Sequence, residues 1–274
     1  PASKLAHRAR SRGRAAVTMR LTVVGSSDAF NSAGRRHACY LVEAKDAGPV
    51  MVDFGATALQ GLKQLGRDGR GLAGVVLTHL HGDHIGGLPF LIIDSMFNDR
   101  RDLPLPLIGP IGTRARLDAL LRDTYGDVMR HNPTFPLQIE EIEPHQQAQF
   151  CGFVVHTFPA AHMDPPEQPL CLRLGATSGH SVAFSGDTEP CDGLIDASRD
   201  ADLIVAECSR FEPPAGRHCT WQDWRTLMPK MQSQRVLLTH LGPCMRARVG
   251  ELHRQPLGGP HFDFADDGMI IELD

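Results

Sequence analysis

Thr78-His79-Leu80-His81-Gly82-Asp83-His84-Ile85-Gly86-Gly87 follows directly on the apolar run Gly74-Val75-Val76-Leu77 and packs three imidazoles and a carboxylate into six positions. In an extended segment residues two apart point the same way, so His79 and His81 present their rings to one side. A turn into helix at Gly82 would swing Asp83 and His84 in from a second direction. One short segment thus supplies donors to two adjacent ions, and its residue types are those that bind metal.

Three further stretches repeat the construction of an apolar strand that ends abruptly in a donor. Ser181-Val182-Ala183-Phe184 runs into Ser185-Gly186-Asp187, Asp202-Leu203-Ile204-Val205-Ala206 into Glu207, and Arg235-Val236-Leu237-Leu238 into Thr239-His240. Continuous apolar runs of this kind are strands buried on both faces, which requires helices above and below them. If all four strands end at one edge, their polar tips converge there. The same patterning predicts strands near 20–25, 38–43, 49–53, 74–78, 137–142, 152–158, 169–174, 180–185, 202–207, 235–239 and 269–272. It predicts helices over about 57–65, 84–97, 113–123 and 221–231, with 103–109 a short strand or loop. Strands and helices mixed through both halves make a layered α/β protein with two sheets at its centre.

A chain of 274 residues with 42% hydrophobic content can bury a sizeable core within one domain. No linker rich in Pro, Gly or Ser divides it, and no apolar run approaches the roughly 18 residues of a membrane span. Seven widely spaced cysteines without a C-x-x-C pair argue for reduced thiols and a cytoplasmic setting. Residues 1 to 20 hold six of the 28 Lys and Arg and no acid, so against 32 Asp and Glu the remainder is about ten charges negative. Residues 1–18 are accordingly expected to be a disordered basic arm, and 19–274 a single domain. Gly69-Arg70-Gly71-Leu72-Ala73-Gly74 spells G-x-G-x-x-G but precedes a strand instead of opening a helix, so it is a loop and not a dinucleotide site. Arg35, Arg36, Arg246 and Arg248 are left outside the site as surface cations.

The H-x-H-x-D-H string at 79–84, Phe184-Ser185-Gly186-Asp187-Thr188 and Leu238-Thr239-His240 resemble the signature motifs of the metallo-β-lactamase superfamily. Within it the pattern is most similar to the ribonuclease Z branch of metal-dependent phosphodiesterases. Met19 to Gly25, Val52-Asp53-Phe54-Gly55, Leu105 to Pro110 and Ala206-Glu207 fall where that branch has similar segments, so the resemblance spans most of residues 19–274. It implies the four-layer αββα sandwich of the α/β class. Carried over by position, His79, His81 and His162 would hold one zinc and Asp83, His84 and His240 the other, with Asp187 bridging both. His162 takes this place over His156, which lies several residues earlier on the preceding strand. Arg217-His218-Cys219-Thr220 resembles the H-x-T segment that sets a histidine near the leaving group, with Glu207 orienting it. The catalytic roles implied are those of Asp83, His218 and Glu207. Members of that branch are commonly homodimers, which implies a homodimer here.

Imidazole nitrogens and carboxylate oxygens suit zinc, and manganese or iron satisfies the same donors. Two ions about 3.5–4 Å apart lower the pKa of a shared water and clamp the attacking and leaving oxygens, giving a bridging hydroxide at neutral pH. Redox members of the superfamily carry a glutamate where this chain has His81, which favours hydrolysis. tRNA-processing members insert a long, glycine-rich basic arm before the bridging aspartate, whereas here Pro165-Pro166-Glu167-Gln168-Pro169 and a strand fill the interval from His162 to Asp187. An acidic body has little pull on long polyanions. The expected activity is therefore a phosphodiesterase acting on a small or medium phosphodiester such as a cyclic nucleotide, with RNA the less favoured substrate. A tRNA 3′ endonuclease, and a sulfatase, lactone or thioester hydrolase on the same two ions, stay open. So does a non-catalytic metal-binding scaffold, although the complete ligand set counts against it.

Overall fold

A computed structural model describes residues 18–126, 128 and 134–274. Apart from Thr18, tied to Leu273 by backbone and hydroxyl hydrogen bonds, the expected basic arm lies outside the described residues. The described residues build two seven-stranded mixed sheets. In the first, β1 (Met19–Gly25), β2 (Cys39–Ala44) and β3 (Ala47–Val52) form an antiparallel meander. β4 (Gly74–Val76), β5 (Leu105–Pro110) and β6 (Leu137–Ile142) then add in parallel beyond β3, while β14 (Ile270–Leu273) closes the other edge on β1.

The second sheet repeats this plan. β8 (Phe153–Pro159), β9 (Leu170–Ala176) and β10 (Ser181–Phe184) form the meander, and β11 (Leu203–Glu207), β12 (Arg235–Thr239) and β13 (His261–Phe264) add in parallel. β7 (Gln147–Phe150) flanks β8 as β14 flanks β1. Helices α1 (Ala58–Gln64), α2 (Gly82–Ile85), α3 (Leu88–Phe97) and α4 (Thr113–Tyr125) cover the first sheet, and α5 (Asp192–Ser198), α6 (Trp221–Leu227), α7 (Pro243–Arg246) and α8 (Val249–Leu252) the second.

Alternation along the strands sets the layers. Val75 and Leu107 pack outward on helices while Val76 and Ile108 face the other sheet, and across the molecule Ala183, Ile204 and Leu238 point outward while Phe184, Val205 and Leu237 point inward. One core thus lies between the sheets and one under each helical layer, giving the expected αββα sandwich. Each fully buried aliphatic or aromatic side chain contributes about 1.5–3 kcal/mol, so neither sheet face can be left bare.

Several boundaries differ from those the sequence predicts, each for a local reason. The expected helix from His84 to Phe97 is broken at Gly86-Gly87. Gly87 donates its N–H to Phe54 O, and a Cβ there would lie 2.1 Å from Gly55 O, so the chain must redirect against the end of β3. The helix expected over 221–231 leaves α-geometry after Leu227 for a 3-10 turn that contains Pro229. Strands β7 and β13, of four residues each, and the seven-residue helix α5 are too short to show a period in the sequence. Gly69 to Ala73 forms the predicted loop into β4, and Gly74 at the start of that strand makes room for the Phe150 ring. Arg246 corrects the expectation of a surface cation, because it is largely buried and donates to Ser26 O, Ser26 Oγ and Ala265 O. Phe184 stands in the inter-sheet core with its ring 5.4 Å from that of Tyr40. Phe184→Ala is expected to cost about 3–5 kcal/mol, read as a lower urea midpoint at unchanged slope. A loss below about 1 kcal/mol would show that this contact does not hold the sheets together.

Candidate metal centre

The chain ends of β3, β4, β10, β11 and β12 meet at one edge of the sandwich, as the crevice rule for open α/β sheets requires. Beyond β4 the chain stays extended to His81, whose φ of −71° and ψ of 154° make it the residue before α2, and Asp83 and His84 fall in that helix's single turn. Two neighbouring strand ends carry non-glycine residues in left-handed conformations, Asp53 at φ 59° and His240 at φ 56°. Such strain persists where surrounding contacts over-determine the backbone. Gly186 turns the chain at φ 56° where a Cβ would lie 2.8 Å from Thr78.

Of the four overlapping donor groups that form there, one joins His79, His81 and His162 and another Asp83, His84, Asp187 and His240, with the ligand atoms of each within 4.8 Å of one another. In the first, His162 Nε2 lies 3.0 Å from His81 Nδ1. In the second, His84 Nε2 lies 3.3 Å from Asp83 and 3.4 Å from Asp187, and His240 Nε2 lies 3.5 Å and 3.3 Å from the same carboxylates. Asp187 also stands 3.8 Å from His79 Nε2 and 3.7 Å from His162 Nε2, so it lies between the two groups. The sequence-derived set is thereby brought together in full. His156 stays on β8, in register with Gln147 and Arg173 and in neither group.

In four of the five donor rings the nitrogen that faces away from the centre is held. His84 Nδ1 donates to Asp53 Oδ2 at 2.7 Å, and His79 Nδ1 lies 3.1 Å from Thr78 Oγ1, which itself donates to Asp53. His240 Nδ1 lies 3.1 Å from Ser209 Oγ, which donates to Glu207 Oε2, and His162 Nδ1 donates to Arg217 O at 2.8 Å. These contacts turn the inner nitrogens towards the centre. Buried His79 Nε2 and His84 Nε2 have no hydrogen-bond partner, a deficit that a cation at either group would satisfy. Donors of this composition fit metal ions of the zinc type.

Charge follows the same logic. Burial pushes His84 and His240 down, but Asp187 and its neighbouring carboxylates outweigh it, raising His84 well above the imidazole range and His240 to about 9. Burial likewise pushes Asp187 up, yet His240 and His84 bring it well below the usual carboxylate range. His79, fully enclosed, is driven down by burial.

His218 stands at the rim. Its Nδ1 donates to Glu207 Oε1 at 2.9 Å and lies 3.9 Å from Asp187. Burial lowers its basicity, but Glu207 more than compensates and the net shift is upward. Glu207 is fully buried, taking the Thr188 N–H at 2.7 Å and the Ser209 hydroxyl, while Trp224 Nε1 donates to its main-chain carbonyl. His81 is exposed and His218 part-exposed, so solvent reaches the centre from their side. Sequence reasoning assigned no role to Asp53, Thr78 or Ser209. Asp53 could have been found, since Pro49-Val50-Met51-Val52-Asp53 is one more apolar strand ending in a carboxylate.

Residues 19–257 match the protein family described as anti-Pycsar protein Apyc1. The chain is 28% identical over 231 residues to protein ML1173 of Mycobacterium leprae, covering 83% of this chain and 79% of that one. It is 31% identical over 196 residues to a ribonuclease Z of Mycobacterium bovis BCG Pasteur, covering 68% and 69%. Its fold is similar to that of a diphosphatase of the PhnP family (TM-score 0.73, 18% identity, 93% of this chain and 98% of that one). The short form of human tRNase Z is similar too (TM-score 0.71, 20% identity, 92% and 98%). By the match over most of its length the chain belongs to the Apyc1 anti-Pycsar family, and with its ribonuclease Z relatives to the metallo-β-lactamase superfamily of metal-dependent hydrolases.

Proposed function

We propose that the protein is a dinuclear-zinc phosphodiesterase that cleaves a small or medium phosphodiester, such as a cyclic nucleotide or a nucleotide-derived diester. The observation that carries this is the pair of donor groups joined at Asp187, with His218 seated on Glu207 at their open side. His79, His81 and His162 would hold one ion, and Asp83, His84 and His240 the other. When bound, the two ions make hydroxide available at neutral pH and offset the charge of the phosphate oxygens. Manganese or iron would be held by the same donors.

The chain's own residues do the rest. His218 keeps its Nδ1 proton on Glu207, which leaves Nε2 to deliver a proton to the departing oxygen. Asp83, more open than Asp187, is placed to accept a proton at the solvent side. The interval from His162 to Asp187 holds only a turn and the paired strands β9 and β10, with no arm to grip a long RNA, which supports a small substrate. The 31% identity to a ribonuclease Z favours the second reading, a tRNA 3′ endonuclease. As to assembly and place, the proposal is a cytoplasmic homodimer in which residues 19–274 act as one unit. The free state of all seven cysteines is consistent with that compartment, and among the described residues no helix is long and apolar enough to cross a membrane.

The deciding measurement compares turnover of bis-p-nitrophenyl phosphate, 2′,3′- and 3′,5′-cyclic nucleotides, p-nitrophenyl sulfate, a lactone and a tRNA precursor by the zinc-loaded protein. Diester cleavage should lead. Faster sulfate or lactone turnover with negligible diester cleavage would sink the reading, and precursor tRNA cut at its 3′ end in preference to small diesters would replace it with the second.

Two variant sets separate the roles. Asp187→Ala should lose metal from both positions by mass spectrometry, whereas His218→Ala should retain metal and slow turnover about 10²–10⁴-fold; wild-type turnover in His218→Ala would remove it as proton donor. Asp53→Asn should weaken metal binding about 10–100-fold with the fold intact, measured by competition with a chromophoric chelator. Unchanged affinity would show that Asp53 only braces the backbone at Thr78.

A further inference from the structure

Tyr40 stands outside the donor groups, yet it touches two strands of the second sheet that lead into donors. It is buried on β2 of the first sheet, in the core between the sheets. Its ring packs 5.4 Å from that of Phe184, which ends β10 shortly before Asp187. Its hydroxyl lies 2.7 Å from the Thr239 hydroxyl, and Thr239 closes β12 directly before His240. Burial drives the Tyr40 phenol upward, so it keeps its proton for this bond.

The group of Asp83, His84, Asp187 and His240 is assembled across the gap between the sheets. Asp83 and His84 follow β4 of the first sheet, while Asp187 and His240 follow β10 and β12 of the second. His240 is bracketed by bonds to the first sheet and its chain ends. Before it stands the Tyr40–Thr239 bond; after it Leu241 N donates to Ser26 O at 3.4 Å and Leu241 bridges to Ser27, just beyond β1. Within the second sheet Thr239 O accepts the Cys208 N–H at 2.8 Å. The left-handed backbone of His240, at φ 56°, persists only where such contacts over-determine it. A cavity of about 10 Å³ adjoins Tyr40, Thr239, Asp187 and His240, so a Thr239 side chain released from Tyr40 has room to turn. The group of His79, His81 and His162 is anchored elsewhere, with His162 held on Arg217 O.

We propose that Tyr40 is a positioning residue for the metal site of Asp83, His84 and His240, setting through the Thr239 hydroxyl the approach of His240 to both carboxylates. The consequence for metal affinity rests on the dinuclear reading above. The hydroxyl carries the role, because a phenylalanine ring keeps the packing on Phe184 and loses only the bond to Thr239. Removing either hydroxyl leaves its partner buried and unpaired, which lowers stability, whereas removing both takes that penalty away. Neither change restores the hold on His240. Stability and metal affinity therefore separate in the double variant.

The test measures stepwise zinc affinity against a chromophoric chelator, and the urea midpoint of the metal-free protein, for Tyr40→Phe, Thr239→Val and the double variant. His240→Ala marks which zinc step belongs to its group. Each of the three should weaken that step about tenfold, as loss of an orienting partner does, and leave the other step unchanged. The double variant should recover the urea midpoint without recovering affinity, and its loss should not exceed that of either single variant. Unchanged affinity, equal weakening of both steps, or affinity that tracks the urea midpoint through the series would reduce Tyr40 to packing and overturn the proposal. Wild-type protein that holds fewer than two zinc ions would overturn the dinuclear reading, and a crystal structure of metal-free Tyr40→Phe would then decide Tyr40. Its positioning role stands if His240 Nε2 leaves its 3.3 Å approach to Asp187 and falls if the ring is unmoved.

Discussion

A buried imidazole presents one nitrogen to a centre only when its other nitrogen is fixed, and much of the site is organised by that requirement. Two carboxylates meet it for four rings. Asp53 takes His84 directly and His79 through the Thr78 hydroxyl, while Glu207 takes His218 directly and His240 through the Ser209 hydroxyl. Each carboxylate sits at the end of a strand, Asp53 after β3 and Glu207 closing β11, so the ladders that fix the strands also fix the rings. An uncompensated charge at either place would be costly, since both groups are almost wholly removed from water. The Thr78 N–H and hydroxyl on Asp53, and the Thr188 N–H and Ser209 hydroxyl on Glu207, offset that cost.

The doubled topology explains why these groups meet at all. Each sheet begins as an antiparallel meander and continues by parallel addition, so each contributes several chain ends to the same edge. The first sheet brings Asp53 and the segment from His79 to His84; the second brings Asp187, Glu207 and His240, with His162 from the turn between β8 and β9. Neither half holds a full set. The inter-sheet core, rather than any local turn, therefore sets the distance between Asp187 and the His79 and His84 rings.

What the sequence made legible were the features carried by period and by strand ends. Buried strands read as apolar runs, and every donor but His162 stands within a few residues of such a run, so the layered class and the donor set emerge together. Features set by close approach of distant backbone did not emerge. The break between α2 and α3 depends on Gly87 lying against Phe54 and Gly55, and burial of Arg246 depends on Ser26 and Ala265 being neighbours only in the folded chain. Asp53 is a different case: its strand end carries the same signal as the donors, but its role of orienting Thr78 and His84 shows only in the folded chain.

Access decides what such a centre can take. Of the rings gathered here, His81 is exposed and His218 part-exposed, while His79, His84, His162 and His240 are enclosed. A substrate therefore meets the centre between His81 and His218, and His218 alone of these rings combines solvent contact with a hydrogen bond from its far nitrogen to a carboxylate. A diester that is short on both sides of phosphorus meets this demand without further surface. A polynucleotide would need additional cationic surface along its backbone. The acidic balance of the chain beyond residue 20 supplies little of it, and the turn before β9 adds three prolines, a glutamate and a glutamine in place of basic side chains. Under the proposed function, a small diester would suit the same compactness that brings the seven donors together.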